Sequence, residues 1–333
     1  MRYITPPGSD AAFHFSVETY FTEHAPLDEP LFMIWQADNT AMLGLYQIPQ
    51  AEISLPYAQE AGIRIVRRQS GGGTIFTDMG TLLYTLILPH TEEDTREILR
   101  ETFAGPMVRA LNKMGVPAKL EGRNDLLVDG KKVCGIAQFV RNGQVCTHGS
   151  LLYDTDLDML TRVLQVEPGK IQSKAIASVR SRVTNMRKHM DRPVSTQEFW
   201  ALLEEKLAEE WSNMHPYILS ETELQAIQTI YTEKFNNPAW TEGRTPRFTF
   251  RNSCRFPAGK VEVFLDIAKG VIVGCSICGD FLGIVPMRGL EAALEHVMFQ
   301  PEQVAEALAD VDLQPYLGEV TKDQLLSCLF DRK

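Results

Sequence analysis

The chain has 333 residues, of which 44% are hydrophobic and 23% are charged. This balance is typical of globular proteins and excludes disordered, collagen-like and fibrous folds, and the length predicts one large and one small core. Acidic residues outnumber basic ones by 43 to 33, for a net charge of −10, which excludes broad binding to nucleic acid or anionic membranes but allows one small anion at a local basic cluster.

The cysteines and the lack of an export signal indicate where the protein works. Its six cysteines are spread along the chain without the density of a secreted disulfide framework, so reduced thiols are favoured. The first residues lack a basic segment followed by an apolar run, and no stretch approaches the roughly 18 apolar residues of a membrane span. We therefore expect a soluble cytoplasmic protein that has no membrane partner, and we expect a monomer.

The first third of the chain predicts a helix followed by strands around a glycine loop. Ser9 or Asp10 can cap a helix that ends near His24, because its apolar residues recur with helical spacing. Strand-like runs follow at residues 31–37, 42–46, 63–66 and 81–88. The last two runs flank three consecutive glycines, so the order is strand, glycine loop, strand.

The middle of the chain predicts an antiparallel meander and several helices. A helix is expected over residues 98–114, with a break at Gly105-Pro106. Asp129-Gly130 and Asn142-Gly143 each separate two strand-like runs and suit two-residue turns with positive φ. Two later helices each open with a capping box, Ser195 with Glu198 and Ser220 with Glu223.

A polar segment divides the chain into two predicted domains. Residues 236–246 are rich in turn-forming Asn, Gly and Pro and lack periodicity, as expected of a hinge between separately folded units. We place the boundary near Arg247, which gives domains of residues 1–246 and 247–333. The second domain is expected to contain a hairpin that turns at Lys269-Gly270, with helices at residues 290–298, 302–308 and 322–330.

The glycine loop is the first candidate site and reads Arg67-Arg68-Gln69-Ser70-Gly71-Gly72-Gly73-Thr74. Consecutive glycines let the backbone approach a ligand and direct N–H groups at an anion, while the arginines add charge and forked donors. The alternative is a tight turn with two solvated arginines. No Lys-Ser or Lys-Thr follows, and Phe76 stands where a dinucleotide fingerprint has its third glycine, so neither a P-loop nor a Rossmann site is indicated.

Two lysines and an aspartate form the second candidate site. Side chains alternate along a strand, so only one of Lys131 and Lys132 can face a pocket. A strand lysine close to Gly135 suits charge that builds on a phosphate or carbonyl oxygen, whereas the alternative is an ordinary hairpin charge. Asp125 suits either Mg²⁺ beside phosphates or a turn.

A third cluster, residues 148–150 and 173–185, contains basic and hydroxyl residues, and it is compatible with an anion-binding wall or with a polar surface segment. Together the clusters resemble lipoate–protein ligase A in the order and spacing of five motifs. These motifs are residues 68–76, Gly122-Arg123-Asn124-Asp125-Leu126, Lys132-Val133-Cys134-Gly135-Ile136-Ala137-Gln138, His148-Gly149-Ser150-Leu151-Leu152 and Ser178-Val179-Arg180-Ser181-Arg182-Val183-Thr184-Asn185. Ile277-Cys278-Gly279-Asp280-Phe281 is similar to the signature of that family's accessory domain, so the resemblance covers nearly the whole chain.

The resemblance implies an α+β fold, with a mixed-sheet catalytic domain of the biotin and lipoate ligase type and a smaller, mobile α+β domain. It implies a ligase that uses ATP and Mg²⁺ to convert lipoate to lipoyl-adenylate. The lipoyl group would pass to a lysine of a lipoyl domain, in an E2 subunit of a 2-oxoacid dehydrogenase or in the glycine cleavage H protein.

The resemblance also implies a set of site residues, with Lys132 as the catalytic residue that touches the lipoyl carbonyl and the α-phosphate. The implied ATP-binding residues are Arg68, Gly73, Thr74, Ile75, Phe76 and Lys132. The implied lipoate-binding residues are Ser70, Gly71, Gly72, Lys132 and His148, and Asp125 is the candidate Mg²⁺ ligand. Ser54, Thr77, Cys134 and Ile136 depart from the family pattern, and these positions are expected near the acyl pocket.

Two other activities compete with the ligase. The first is an acyltransferase of the same fold that uses Cys134 or Cys146 as a thioester nucleophile and needs no ATP. The second is a catalytically silent lipoate-binding protein. Cys275 and Cys278 are three apart in a predicted strand and face opposite ways, and the histidines lack ligand spacing, so no zinc site is proposed.

Overall fold

The computed structural model describes residues 1–25, 27–90, 94–164, 182–211, 213–242 and 248–330. The strands are β1 (Arg2–Ile4), β2 (Leu31–Trp35), β3 (Thr40–Leu43), β4 (Arg64–Arg67), β5 (Ile75–Thr77), β6 (Thr81–Pro89), β7 (Lys119–Glu121), β8 (Asp125–Val128), β9 (Lys131–Arg141), β10 (Gln144–Leu152), β11 (His215–Pro216), β12 (Phe250–Phe256), β13 (Gly259–Ala268) and β14 (Val271–Gly279).

The helices lie before, between and after these strands. Their bounds are Ala11–Thr19, Pro49–Glu52, Leu55–Glu60, Thr95–Glu97, Gly105–Lys113, Leu157–Val163, Thr196–Glu210, Glu221–Ile230, Pro238–Glu242, Arg288–Leu294, Pro301–Ala307, Gln314–Leu317 and Lys322–Phe330. Wider π-helical turns at Tyr20–His24, Ile98–Ala104 and Tyr231–Phe235 continue three of them, and Met186–His189 forms a 3₁₀ turn. None of the helices in the described residues is long and apolar enough to cross a bilayer.

The largest sheet has eight strands in the order β11-β1-β2-β6-β10-β9-β8-β7. Strand β1 pairs in parallel with both of its neighbours, and the other pairs are antiparallel. Helices cover both faces, so strand β2 is buried along its whole length. Along β2 the side chains alternate: Phe32 and Ile34 join one core, and Leu31, Met33 and Trp35 join the other. This mixed sheet confirms the predicted α+β class.

The predicted meander is confirmed in the middle of the large sheet. The turns after β8 and β9 have positive φ at both central residues, 50° and 72° at Asp129-Gly130 and 45° and 72° at Asn142-Gly143. Such turns match the twist of the flanking strands and fix their register. They place Gly135 of β9 opposite Ser150 of β10.

The glycine loop is held in a small sheet of its own. Strand β3 lies between β4, to which it is parallel, and β5, to which it is antiparallel, so the loop between β4 and β5 crosses the end of β3. The helices Leu55–Glu60 and Leu157–Val163 contribute to a separate apolar cluster with Phe76 of β5.

The sequence predicts the starts of the helices correctly, but it does not predict all of their breaks and ends. Asp10 caps the first helix, and both capping boxes are present. The break expected at Gly105-Pro106 is wrong, because the π-helical turn runs directly into the helix Gly105–Lys113. Pro106 lies in the first turn of that helix, where a missing N–H has little consequence. The helix expected at residues 290–298 ends at Leu294.

The C-terminal part forms a second core around the antiparallel sheet β12-β13-β14. Strand β12 was not predicted. Leu45 and Tyr46, from the turn after β3, are buried in the same core, and the Tyr46 ring stacks on Phe281 with ring centroids 5.2 Å apart. The segment before this sheet also differs from the prediction, because Pro238–Glu242 is helical; residues 243–247 lie outside the described residues.

Arg67 ties the end of β4 to this segment. Its side chain is fully buried, and its guanidinium donates to the carbonyls of Gly44, Leu45, Gln47, Trp240 and Thr241 at 2.7–3.1 Å. A buried cation is tolerated only when its donors are satisfied, and here backbone oxygens satisfy them.

Arg67→Met should lower the free energy of unfolding by about 3 kcal/mol or more, since several buried carbonyls lose their partner. Urea denaturation followed by circular dichroism measures this. Arg64→Met is the matched control: Arg64 is 43% exposed and pairs with Asp10, so its loss should cost less than about 1 kcal/mol. Equal destabilisation by the two substitutions would contradict the role given to Arg67.

Candidate active site

A pocket lies where the glycine loop faces strands β9 and β10, with about 520 Å³ of empty space including the part open to solvent. Its apolar wall consists of Phe15, Trp35, Met42, Ile75, Leu83, Ile136 and Ala137, and its polar wall contains Arg68, Asn124, Lys132, His148 and Ser150. Leu282, from the C-terminal part, closes one side. The pocket therefore combines an apolar wall with two cationic side chains, and both parts of the chain build it.

Arg68 holds the glycine loop in shape. It is 5% exposed, and its guanidinium donates to the Ser70 hydroxyl at 2.9 Å and to the carbonyls of Gly71 and Gly73 at 2.7 and 2.8 Å. Burial lowers the pKa of Arg68 to about 10, which leaves it protonated at neutral pH. The alternative of a turn with two solvated arginines is therefore wrong, since Arg67 and Arg68 are both buried.

The three glycines have different neighbours. A Cβ on Gly71 would lie 2.6 Å from the carbonyl oxygen of Phe281, and Gly72 has φ +87° and donates its N–H to that same oxygen at 2.9 Å. A Cβ on Gly73 would meet nothing within 4 Å, and Gly73 lines the pocket. Two glycines thus allow close packing of the C-terminal part, and the third leaves room for a ligand.

A buried chain of polar groups supports the pocket from behind. The Ser70 hydroxyl lies 2.6 Å from Nε2 of His148, and Nδ1 of His148 lies 3.1 Å from the Glu18 carboxylate. The Thr85 hydroxyl donates to Glu18 at 2.7 Å and accepts from the Trp35 indole at 3.2 Å. Because each member has its partners, this buried network can fix the rotamers of His148 and Trp35, which line the pocket.

Glu18, Thr85 and Trp35 were missed by the sequence interpretation. The available signal was Glu18 itself, a carboxylate four residues after His14 on a helix whose residues are almost all buried. A charged side chain on a buried helix face needs a partner, but the sequence does not show that this partner is His148, 130 residues away.

Lys132 reaches the pocket because strand β9 is irregular. The register of β8 and β9 shifts after Leu126, so that Leu126 pairs with Cys134 and Leu127 with Lys132. The extra residue turns Lys132 toward the side of Gly135, and a Cβ on Gly135 would lie 2.9 Å from the lysine Nζ. Lys132 lines the pocket, whereas Lys131 is exposed.

Asp125 lies beside this lysine. Its Oδ1 is 2.8 Å from Nζ of Lys132, and the two side chains are 36% and 38% exposed. Within the described residues, the one group of three potential metal ligands is Glu18, Cys146 and His148, which is buried and does not include Asp125. A second carboxylate, Glu121, pairs with Asp125 from the neighbouring strand β7.

Of the remaining predicted site residues in the glycine-loop motif, one lines the pocket and the others contact the residues around it. Thr74 donates its hydroxyl to the Gln47 amide oxygen at 2.8 Å, and Ile75 lines the pocket. Phe76 is 1% exposed and packs into the separate apolar cluster, so only its backbone is available to a ligand. Thr77, one of the departures, is buried, and its hydroxyl has no hydrogen-bond partner in the described part of the chain.

The cysteines lie in the cores and do not line the pocket. Cys134 is fully buried against Tyr84, with Sγ 3.6 Å from the tyrosine Oη, and burial raises its pKa to about 12. Cys146 is also fully buried, and burial raises its pKa well above the usual range. Of the departures expected at the acyl pocket, Ile136 lines it and Cys134 does not.

The last motif is described only from Arg182 onward; residues 178–181 lie outside the described residues. Val183 forms a parallel bridge with Lys132, and the Thr184 N–H donates to the Lys132 carbonyl at 3.0 Å. The end of this motif therefore lies beside the pocket lysine.

Comparison with known proteins matches nearly the whole chain to the family that its sequence motifs resemble. The profile of the lipoyl protein ligase A/B catalytic domain matches residues 10–208, and that of the bacterial lipoate protein ligase C-terminus matches residues 245–329. The lipoate–protein ligase LplJ of Bacillus subtilis is 32% identical, over 97% of both chains. A lipoate–protein ligase of Streptococcus pyogenes is 33% identical, over 97% of this chain and 96% of the relative.

Solved structures share the fold. Lipoate–protein ligase A bound with ATP has a TM-score of 0.63 and 25% identity, over 73% of this chain and 98% of its own. LipL1 of P. falciparum in complex with lipoate has a TM-score of 0.76 over 93% and 94% of the two chains, at 18% identity, and it shows the fold alone. With a catalytic-domain profile over residues 10–208 and relatives more than 30% identical along the whole chain, this protein belongs to the lipoate–protein ligase family.

Proposed function

We propose that the pocket at Lys132 is the site where this ligase activates lipoate with ATP and from which it transfers the lipoyl group to a lysine of a carrier domain. The observation that carries the proposal is the pairing of an apolar wall with Lys132 in one pocket. Lipoate has the same two parts, an apolar acyl chain and a carboxylate. Family membership and the ATP-bound relative support the use of ATP.

In the first half-reaction the lipoate carboxylate attacks the α-phosphorus of ATP, which brings two anions together. Lys132 would lower this repulsion by charge stabilisation, and the loop at Gly73 would place its backbone close to the phosphates. Arg68 keeps that loop in position through the bonds to Ser70, Gly71 and Gly73. His148, which lines the pocket and is hydrogen-bonded to the Ser70 hydroxyl behind it, would border the acyl chain.

Mg²⁺ would enter this site on the phosphates of ATP. Magnesium sites for nucleotides commonly use one or two carboxylates plus phosphate oxygens. Asp125 is the candidate ligand; its Oδ1 lies 2.8 Å from Nζ of Lys132, and Glu121 is paired with it on the neighbouring strand. Asp125 would therefore hold Mg²⁺ together with the phosphates of ATP, and the ion would supply charge neutralisation.

In the second half-reaction the ε-amine of the acceptor lysine attacks the acyl carbonyl of the adenylate. A free lysine has a pKa near 10.4, so desolvation or a cationic neighbour must favour the neutral amine, and Lys132 would provide such a neighbour. A solved relative from Thermoplasma acidophilum, with a TM-score of 0.67 and 25% identity over 75% of this chain and 98% of its own, is described with its E2 lipoyl domain. The acceptors of this protein would be lipoyl domains of 2-oxoacid dehydrogenase E2 subunits or the glycine cleavage H protein. The enzyme would act as a monomer in the cytoplasm.

The C-terminal part, residues 247–333, would act as a domain that covers the site. The Tyr46 hydroxyl donates to the Val285 carbonyl at 2.6 Å, and the Val140 N–H donates to the Ile284 carbonyl at 2.9 Å. These contacts, with Leu282 in the pocket wall, would exclude water during adenylation. Access for a carrier domain would then require a rotation about the segment before Phe250.

The rival acyltransferase mechanism has little support. A thioester mechanism needs an accessible thiolate, and Cys134 and Cys146 are fully buried with raised pKa values. The whole function is tested by lipoate-dependent exchange of pyrophosphate into ATP, followed by the mass of a lipoyl domain incubated with enzyme, ATP and lipoate. A silent lipoate-binding protein would show neither exchange nor a mass increase.

Lys132→Ala should lower pyrophosphate exchange and single-turnover lipoylation by about 10²–10³-fold, because it removes the cation beside the developing charge. Lys131→Ala is the matched control, since Lys131 is the exposed neighbour on the same strand. Equal rates in the two variants would mean that Lys132 has no part in either step.

Gly73→Val should abolish tight binding of lipoyl-adenylate while the protein stays folded, because the added side chain would project into open pocket space. Isothermal titration calorimetry measures binding, and the thermal midpoint reports folding. Gly274→Val is the control, because a Cβ there meets only ordinary contacts in the C-terminal sheet. Unchanged affinity of Gly73→Val would remove this loop from the site.

Cys134→Ala and Cys146→Ala should both keep most of the ligase activity, since the activated species is a mixed anhydride and not a thioester. Intact-protein mass spectrometry after incubation with an acylated carrier protein, without ATP, should show no covalent acyl adduct on the wild type. An adduct that disappears in one variant, together with its transfer activity, would establish the acyltransferase mechanism instead.

A further inference from the structure

Two chains of hydrogen bonds end on one buried carboxylate, Glu18. On the acyl side of the pocket, the Trp35 indole donates to the Thr85 hydroxyl at 3.2 Å, and Thr85 donates to Oε1 of Glu18 at 2.7 Å. In the second chain, Nδ1 of His148 lies 3.1 and 3.2 Å from the two Glu18 oxygens. Glu18 is 1% exposed, so these side chains take the place of water around its charge.

The chain through His148 continues to the glycine loop. The Ser70 hydroxyl lies 2.6 Å from Nε2 of His148, and its oxygen accepts from Nε of Arg68 at 2.9 Å. The same guanidinium donates to the carbonyl of Gly73 at 2.8 Å. Glu18 is therefore joined, through two buried side chains, to the arginine that shapes the glycine loop.

The donor and acceptor in each of these hydrogen bonds follow from the chemistry of the side chains. An arginine can only donate, so the Ser70 oxygen accepts from Arg68. The described residues give the Ser70 proton no acceptor other than Nε2 of His148. The imidazole proton is then on Nδ1, where it is donated to Glu18. A carboxylate is the group that can accept from both this proton and Thr85, because it presents acceptors alone.

We infer that Glu18 is a positioning residue for the binding of ATP. It holds His148 in the tautomer that accepts from Ser70, and the Ser70 oxygen in turn holds Arg68 and the glycine loop. The inference rests on the proposed function, in which that loop lies close to the phosphates of ATP. A change at Glu18 should therefore weaken nucleotide binding, although Glu18 lies behind the wall that would contact lipoate.

Glu18→Gln tests the tautomer, because it keeps the shape of the side chain and replaces one oxygen by an amide nitrogen. Both Glu18 oxygens lie near Nδ1 of His148, so a donor would face Nδ1 in either orientation of the amide. The imidazole proton should then move to Nε2, which leaves the Ser70 proton without an acceptor. Two-bond ¹H–¹⁵N correlation spectra of histidine-labelled protein measure the tautomer, and His148→Gln assigns the signal.

Glu18→Gln should also raise the KM for ATP in lipoate-dependent pyrophosphate exchange by about 10-fold, because the glycine loop loses part of its support. The KM for lipoate should change by less than about twofold, since Thr85 can still donate to the amide oxygen. Ser70→Ala interrupts the same chain closer to the loop and should raise the KM for ATP by a similar factor. The double variant should show no further increase, because both substitutions break one chain.

Glu23→Gln is the matched control, since Glu23 lies on the π-helical turn that continues the same helix and its side chain is 26% exposed. It should leave both KM values and the His148 tautomer unchanged.

Four results would each overturn the inference. They are an unchanged tautomer in Glu18→Gln, a rise in the KM for lipoate that equals or exceeds the rise for ATP, additive effects in the double variant, and an unchanged KM for ATP in Ser70→Ala. The last result decides the question even if Glu18→Gln does not fold. Failure of the wild type to make adenylate would instead refute the proposed function.

Discussion

Two buried guanidinium groups determine how the rest of the site is arranged. Arg67 is the last residue of β4 and Arg68 follows it, yet their side chains bind different sets of backbone carbonyls. Arg67 joins β4 to the turn after β3 and to the helix Pro238–Glu242, and Arg68 shapes the glycine loop. Each cation would be costly to bury without these acceptors, so the loop and the turn are held in the one arrangement that satisfies them.

The C-terminal part completes a site that the first part begins. The carbonyl of Phe281 accepts from Gly72, and Leu282 closes the pocket. Conversely, Leu45 and Tyr46 of the first part are buried in the core of the C-terminal part. Because these contacts are made by the glycine loop and its neighbouring turn, a movement of the C-terminal part would change the contacts of the loop that is proposed to bind ATP.

The charged residues in and around the pocket differ in how deeply they are buried. Glu18 is buried behind the pocket and hydrogen-bonded to Thr85 and His148, and this network can orient Trp35 and His148 in the pocket wall. Asp125 and Lys132 form an ion pair that remains partly exposed. The first group suits binding of an apolar chain, and the second suits chemistry on charged groups.

The sequence by itself determined the features that depend on local rules. The turns at Asp129-Gly130 and Asn142-Gly143, the two capping boxes and the α+β class all follow from short-range patterns, and they are confirmed. The order of the five motifs was also sufficient to identify the family. The placement of Lys132 did not follow from local rules, because strict alternation back from Gly135 would direct Lys131, and not Lys132, to the same side.

Only the tertiary structure decided which groups meet. A bulge between β8 and β9 turns Lys132 toward the pocket and Asp125, and the burial of Arg67 and Arg68 depends on carbonyls from distant parts of the chain. The partnership of Glu18 with His148 spans 130 residues. The physical reason is the same in each case: a charged group is stable in the interior only where other elements bring it donors or acceptors, and no local pattern in the sequence shows which elements those are.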